Sequence, residues 1–117
     1  MSEIRLYHNP ACSKSRGALE MLQKHEAPIE VIEYLKTPLS RDQLDEILDL
    51  LPEDPAALLR QDKNFKGLGL DPEGYTSPEE VAQLLLKHPE LMQRPIAIRD
   101  EKALIARPSE RVLELLD

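Results

Sequence analysis

The chain of 117 residues has one cysteine, Cys12, and no tryptophan. One thiol cannot close an internal disulfide, so Cys12 is a small buried hydrophobe, a link to another molecule, or a reactive group. Aromatic residues make up 3% of the chain, too few for a base-stacking surface, and the net charge of −7 opposes nonspecific attraction to nucleic acid or anionic membranes. No apolar run approaches the roughly 18 residues of a membrane helix. The opening residues Met1-Ser2-Glu3-Ile4-Arg5 lack the basic-then-apolar pattern of a signal peptide, so a cytoplasmic protein without nucleic-acid or membrane partners is expected. Gly17, Gly67, Gly69 and Gly74 form no phosphate-binding loop. His8, His25 and His88 lie far apart with only one cysteine to join them, so neither a metal site nor a bound cofactor is expected.

What is present is a regular alternation of apolar segments and breakers, with a 41% hydrophobic share that suffices for one core and a single domain over residues 1–117. Ile4 to Tyr7 alternates as a short strand before Asn9-Pro10, and Ala18, Leu19, Met21 and Leu22 then recur at helical spacing from Ser13 to His25. Ile29 to Tyr34 reads as a second, parallel strand, which makes a βαβ unit. Capping boxes at Ser40-Arg41-Asp42-Gln43 and Ser77-Pro78-Glu79-Glu80 open two helices, and Asp54-Pro55 opens a short one leading to Arg60. Lys63 to Gly74 reads as loop. Pro95 to Ile98 and Ala103 to Ala106 predict a hairpin, and Pro108 begins a last helix with Arg107 beside its N-cap. The order βαβ, helical middle, ββα predicts a thioredoxin-like α/β fold. Its four-stranded mixed sheet carries a helical insertion between the halves.

Cys12 falls where the first strand gives way to a helix, and the unsatisfied N–H groups there favour a thiolate. An inert core thiol is the plain alternative, although Lys14, Ser15, Arg16 and the upstream His8 make a polar setting. His8 itself either tunes the sulfur or is a loop residue bonded to the backbone. Cys12-Ser13-Lys14-Ser15 has the form of a redox Cys-x-x-Cys motif with serine in the second position, so an outside thiol must complete any disulfide chemistry. A phosphatase loop is excluded, because Ala18 stands six positions on where that loop needs arginine.

Tyr7-His8-Asn9-Pro10-Ala11-Cys12 with Ser15-Arg16 resembles the active-site segment of the glutaredoxin-linked arsenate reductases. The resemblance continues through Tyr34-Leu35-Lys36-Thr37-Pro38, Ala57-Leu58-Leu59-Arg60, Gly67-Leu68-Gly69-Leu70, His88-Pro89, Arg94-Pro95-Ile96 and Arg107-Pro108-Ser109-Glu110, in order along nearly the whole chain. It implies a thioredoxin-like fold, with Cys12 as nucleophile assisted by His8 and Ser15, and with Arg60, Arg94 and Arg107 binding the oxyanion. It further implies arsenate as substrate, glutathione as co-substrate, glutaredoxin as partner, and a cis Arg94-Pro95 bond. Arginine's fixed fork suits a tetrahedral oxyanion, although each arginine taken alone reads equally as a surface charge or helix-end ion pair. Only Arg107 gains from its place at a helix start, an end that favours anions.

Two other functions compete. A thiol-disulfide oxidoreductase of the same family acting on another substrate keeps Cys12 and relaxes the arginine roles; at Ser13-Lys14, where the best-known members have glycine and threonine, the added cation either assists an oxyanion or marks a subgroup with a different substrate. A non-catalytic regulator binding a protein such as RNA polymerase is the other, but such relatives use a Cys-x-x-Cys switch that Ser15 breaks.

Overall fold

The computed structural model describes residues 3–60 and 62–116. Met1, Ser2, Gln61 and Asp117 of the expected 1–117 domain lie outside the described residues. The chain forms two compact units, Met1–Thr37 with Arg94–Asp117, and Pro38–Gln93.

The first unit is built on β1 (Ile4–His8), α1 (Ser13–Lys24), β2 (Ile29–Glu33), β3 (Ile96–Arg99) and β4 (Lys102–Ile105). The sheet order is β2-β1-β3-β4, with β1 and β2 parallel and β3 antiparallel to both β1 and β4. This is the expected mixed sheet of a thioredoxin-like fold. Alternation along β1 sends Ile4 and Leu6 into a core with Ala18 and Leu22 of α1 and with Val112 and Leu115 of the C-terminal segment. Burying side chains of this size contributes roughly 1.5–3 kcal/mol each, so this apolar layer fixes α1 against the sheet. The strand boundaries of the hairpin shift by one residue from expectation. The turn is only Asp100-Glu101, and Asp100 takes the left-handed conformation (φ 56°) that a short polar side chain tolerates where glycine is missing.

The C-terminal helix is a 3₁₀ helix, Ser109–Leu115, rather than an α-helix. The burial explains the tighter winding, since Ser109, Val112 and Leu115 are the residues turned inward and their spacing is three. Both Arg94-Pro95 and Arg107-Pro108 are cis.

The second unit contains α2 (Arg41–Leu50), α3 (Lys63–Gly67) and α4 (Pro78–Lys87), with 3₁₀ turns at Pro55–Leu58, Pro72–Gly74 and Pro89–Leu91. Both capping boxes form as expected, at Ser40 with Gln43 and at Ser77 with Glu80. Asp54 occupies the N-cap of its turn, but its side chain makes no cap hydrogen bond. The expectation of a loop from Lys63 to Gly74 is corrected: Asp62 Oδ1 accepts the Phe65 N–H at 3.3 Å and buried Phe65 anchors α3 edge-on to Tyr75, with ring centroids 6.2 Å apart. Five residues are too few for helical periodicity to be seen in sequence. Beyond α3, Asp71 accepts the Glu73 N–H at 3.0 Å and closes the next turn.

Candidate active site

The link from β1 to α1 is organised by Asn9. Its carbonyl accepts the Cys12 N–H at 3.0 Å, its side-chain Oδ1 accepts the Ala11 N–H at 3.0 Å, and its own N–H donates to Ser15 Oγ at 3.0 Å. Pro10 fits the second position of this turn because its φ is already set. Arg16 Nη1 then donates to the Pro10 carbonyl at 2.9 Å and holds the turn against α1. Sequence reasoning saw in Asn9-Pro10 only a strand breaker. The three bonds of Asn9 are what place Cys12 at the helix N-cap, in extended conformation (φ −100°, ψ 123°).

At that position the sulfur stands before the free N–H groups of the first helical turn. No side-chain cap hydrogen bond is closed there. Burial pushes the Cys12 thiol up, but the Ser15 and Lys14 N–H groups that the sulfur faces, together with the Arg94 guanidinium, outweigh it and hold the pKa below the ordinary thiol value. Cys12 is half-buried, so the sulfur is both stabilised as thiolate and open to a reactant.

His8, at the end of β1, is 5% exposed and its Nδ1 lies 2.6 Å from Oγ of fully buried Ser15. Ser15 Oγ already accepts from Asn9, so its one proton is available for a neutral imidazole at Nδ1. Burial lowers the His8 pKa; Glu33 opposes that shift and Arg16 adds to it. Glu33 is the register partner of His8 across the parallel β1–β2 pair. That neighbour was not legible in the sequence, because only strand pairing brings the two residues side by side.

Arg94 begins the second half of the first unit and reaches Cys12. Its Nε is buried and has no hydrogen-bond partner among the described residues. A buried, unpartnered guanidinium donor on the arginine whose charge acts on Cys12 is a position for an anionic oxygen. Arg107 Nη1 donates to the Arg94 carbonyl at 3.3 Å, bracing the backbone that carries this guanidinium. Arg107 precedes Pro108, the N-cap of a seven-residue 3₁₀ helix, and its side chain is exposed. The structure therefore joins His8, Cys12, Ser15, Arg94 and Arg107 in one unit. Arg60 lies in the other unit, where its Nη1 pairs with Asp62 at 3.1 Å. Among the described residues no group of His, Cys, Asp or Glu could hold a metal, and no helix is long and apolar enough to cross a membrane.

A four-stranded mixed sheet that delivers a cysteine to the start of its first helix defines a thioredoxin-like protein. The comparisons with known proteins give the family: residues 7–115 match the ArsC family, and the chain belongs to it. It is 38% identical over 117 residues to an arsenate reductase of Escherichia coli K12, covering 99% of this chain and 82% of that protein. It is 39% identical over 116 residues to the E. coli K12 protein named uncharacterized protein YfgD, covering 97% of each. Among solved structures, the arsenate reductase from Vibrio cholerae superposes with a TM-score of 0.86 at 34% identity over 97% of each chain.

Proposed function

We propose that this chain reduces arsenate to arsenite, with Cys12 as nucleophile and outside thiols as reductant. The observation that supports this best is the half-buried Cys12 sulfur at the N-cap of α1, with the Arg94 guanidinium acting on it and the Arg94 Nε left without a hydrogen-bond partner among the described residues. The Cys12 thiolate attacks arsenic(V), forming an S–As bond as one arsenate oxygen leaves as water. Arg94 neutralises the remaining oxygens, and Arg107 keeps Arg94 in place. A glutathione thiolate then attacks the Cys12 sulfur. The S–As bond breaks with its electron pair passing to arsenic, so arsenite departs as arsenic(III) and a Cys12–glutathione disulfide is left. Glutaredoxin takes the glutathione from that disulfide and returns Cys12 to the thiolate. The net change, arsenate plus two thiols giving arsenite, disulfide and water, balances in atoms and in two electrons. An external reductant is needed because Cys12 is the only cysteine and Ser15 cannot resolve a disulfide.

His8 and Ser15 serve this cycle by holding the first turn of α1 against β1. Arg60 is assigned to the oxyanion by motif resemblance alone and is tested on its own by Arg60→Ala. The soluble cytoplasmic setting expected from composition supplies glutathione and glutaredoxin. The second reading, reduction of a different disulfide or oxyanion by the same thiol, is favoured by exposed Lys14 at the second position of α1. Purified protein with arsenate, glutathione and glutaredoxin is expected to release arsenite, and Cys12→Ser to abolish release. Release undiminished in Cys12→Ser overturns the mechanism. No release by the parent, alongside reduction of a glutathionylated protein, moves the function to the second reading.

A further inference from the structure

Ser109 has no part in the chemistry described so far, yet it is 8% exposed and its hydroxyl donates to the Lys14 carbonyl at 2.7 Å, from a segment 95 residues away in sequence. The contact is close: a Cβ on Gly17 would stand 3.1 Å from Ser109 Oγ and would push on the hydroxyl. The Lys14 carbonyl and the Ser15 N–H are two ends of one peptide group. A carbonyl has two lone pairs, so it can accept the serine hydroxyl in addition to its bond within the helix. Donation to the oxygen end of a peptide polarises its N–H end.

We infer that Ser109 is a positioning residue for Cys12, its hydroxyl fixing and polarising a peptide group whose other end, the Ser15 N–H, faces the sulfur. The same bond ties the first turn of α1 to the segment that begins at Arg107, so the donors facing the sulfur and the brace on Arg94 share one anchor. The inference rests on Cys12 working as a thiolate, as proposed above. The charged group acting on the sulfur from outside α1 is Arg94. On α1 itself the Lys14 side chain is exposed and Arg16 is held on the Pro10 carbonyl. Ser109 touches none of these side chains, so its effect passes through the backbone.

The test is the pH profile of Cys12 alkylation by iodoacetamide in the full chain. Polarisation of this kind changes a hydrogen bond by roughly 10–30%, which at a charged acceptor corresponds to roughly a 1.3- to 5-fold change in the thiol–thiolate equilibrium. Ser109→Ala is expected to move the midpoint of the profile upward by that amount while leaving the high-pH plateau rate unchanged, and Ser109→Thr is expected to restore the parent midpoint. Gly17→Ala, which crowds Oγ, is expected to shift the midpoint in the parent and to add nothing in Ser109→Ala. A folded Ser109→Ala with the parent midpoint overturns the inference, and so do equal shifts in Ser109→Ala and Ser109→Thr, which assign the effect to packing. If Ser109→Ala does not fold, an unshifted midpoint in Gly17→Ala overturns it instead. No arsenate enters these measurements, so a chain without arsenate turnover still passes or fails them.

Discussion

At the start of α4, Ser77 Oγ accepts the Glu80 N–H at 3.2 Å, Glu80 Oε1 accepts the Ser77 N–H at 3.2 Å, and Glu79 and Glu80 set negative charge in the first turn. At the start of α1 the N-cap is Cys12, no side-chain cap bond is closed, no acid is present in the first turn, and Lys14 and Arg16 follow. The helix macrodipole and the free N–H groups are the same in kind at both ends. One end is arranged for stability, with every charge complementing the dipole. The other places cations where the dipole disfavours them, an arrangement that gains only when an anion occupies the N-cap. On the proposed function, a thiolate at Cys12 or an oxyanion joined to it is that anion.

Replacing the sulfur makes the two ends alike and gives the largest expected effect. Cys12→Ser puts an oxygen acceptor at an N-cap that already has extended backbone. Arsenate turnover falls by on the order of 10³-fold or more, while stability, measured at a pH low enough to keep the parent thiol protonated, rises by about 0.5–1 kcal/mol as the hydroxyl caps α1. Thermal unfolding followed by circular dichroism, beside the turnover assay, reads both. A lowered unfolding midpoint with activity lost shows instead that Cys12 is a packing residue and removes the contrast with α4.

Arg94→Ala comes next. It removes a charge-assisted donor from the oxyanion and is expected to cost about 10²-fold in turnover, with the midpoint of Cys12 alkylation moving upward because the guanidinium no longer favours the thiolate. Arg107→Ala acts through the Arg94 carbonyl and is expected to give a smaller loss of turnover in the same assay. An Arg107→Ala loss exceeding that of Arg94→Ala places Arg107 directly on the substrate. At α4, Ser77→Ala is expected to cost about 1 kcal/mol in urea unfolding with the alkylation profile of Cys12 unchanged. A changed profile breaks the division between an end built for stability and one built for chemistry.

Features encoded by neighbouring residues were legible before folding was considered. The alternation of Ile4 and Leu6, the helical spacing of Ala18 and Leu22, and the capping boxes at Ser40 and Ser77 all act within a few positions and could be read directly. So could the place of Cys12 at a helix start. The 3₁₀ form of Ser109–Leu115 could not, because Val112, Leu113, Leu115 and Leu116 permit either winding until packing selects which face is buried. The short α3 was hidden because its cap and its anchor, Asp62 and Phe65, are single residues without a repeat. Within the site, Arg94 beside Cys12, Glu33 beside His8 and Arg107 on the Arg94 carbonyl depend on strand pairing or on chain segments far apart in sequence. Motif resemblance pointed to the two arginines, but Glu33 came only from the register of β1 with β2.

The smallest effect concerns His8, and its sign follows from burial. Desolvation disfavours the imidazolium and lowers the His8 pKa from 6.5, with Glu33 opposing and Arg16 assisting. On acidification the unfolded chain takes up a proton near pH 6.5 that the folded chain refuses until its lower pKa is reached. The contribution of neutral His8 to stability is therefore fully present above pH 6.5 and is lost as pH falls through the folded value. His8→Asn removes the titrating group while keeping an acceptor that can reach Ser15. Urea unfolding at a series of pH values from 7.5 downward is expected to show the parent losing more stability below pH 6.5 than His8→Asn, by less than the cost of Ser77→Ala. Parallel curves would show that His8 takes its proton as readily in the folded chain as in the unfolded one. The Ser15 hydroxyl would then face an imidazolium at Nδ1, and the neutral His8–Ser15 pair that holds α1 to β1 would be lost as an explanation for the placement of Cys12.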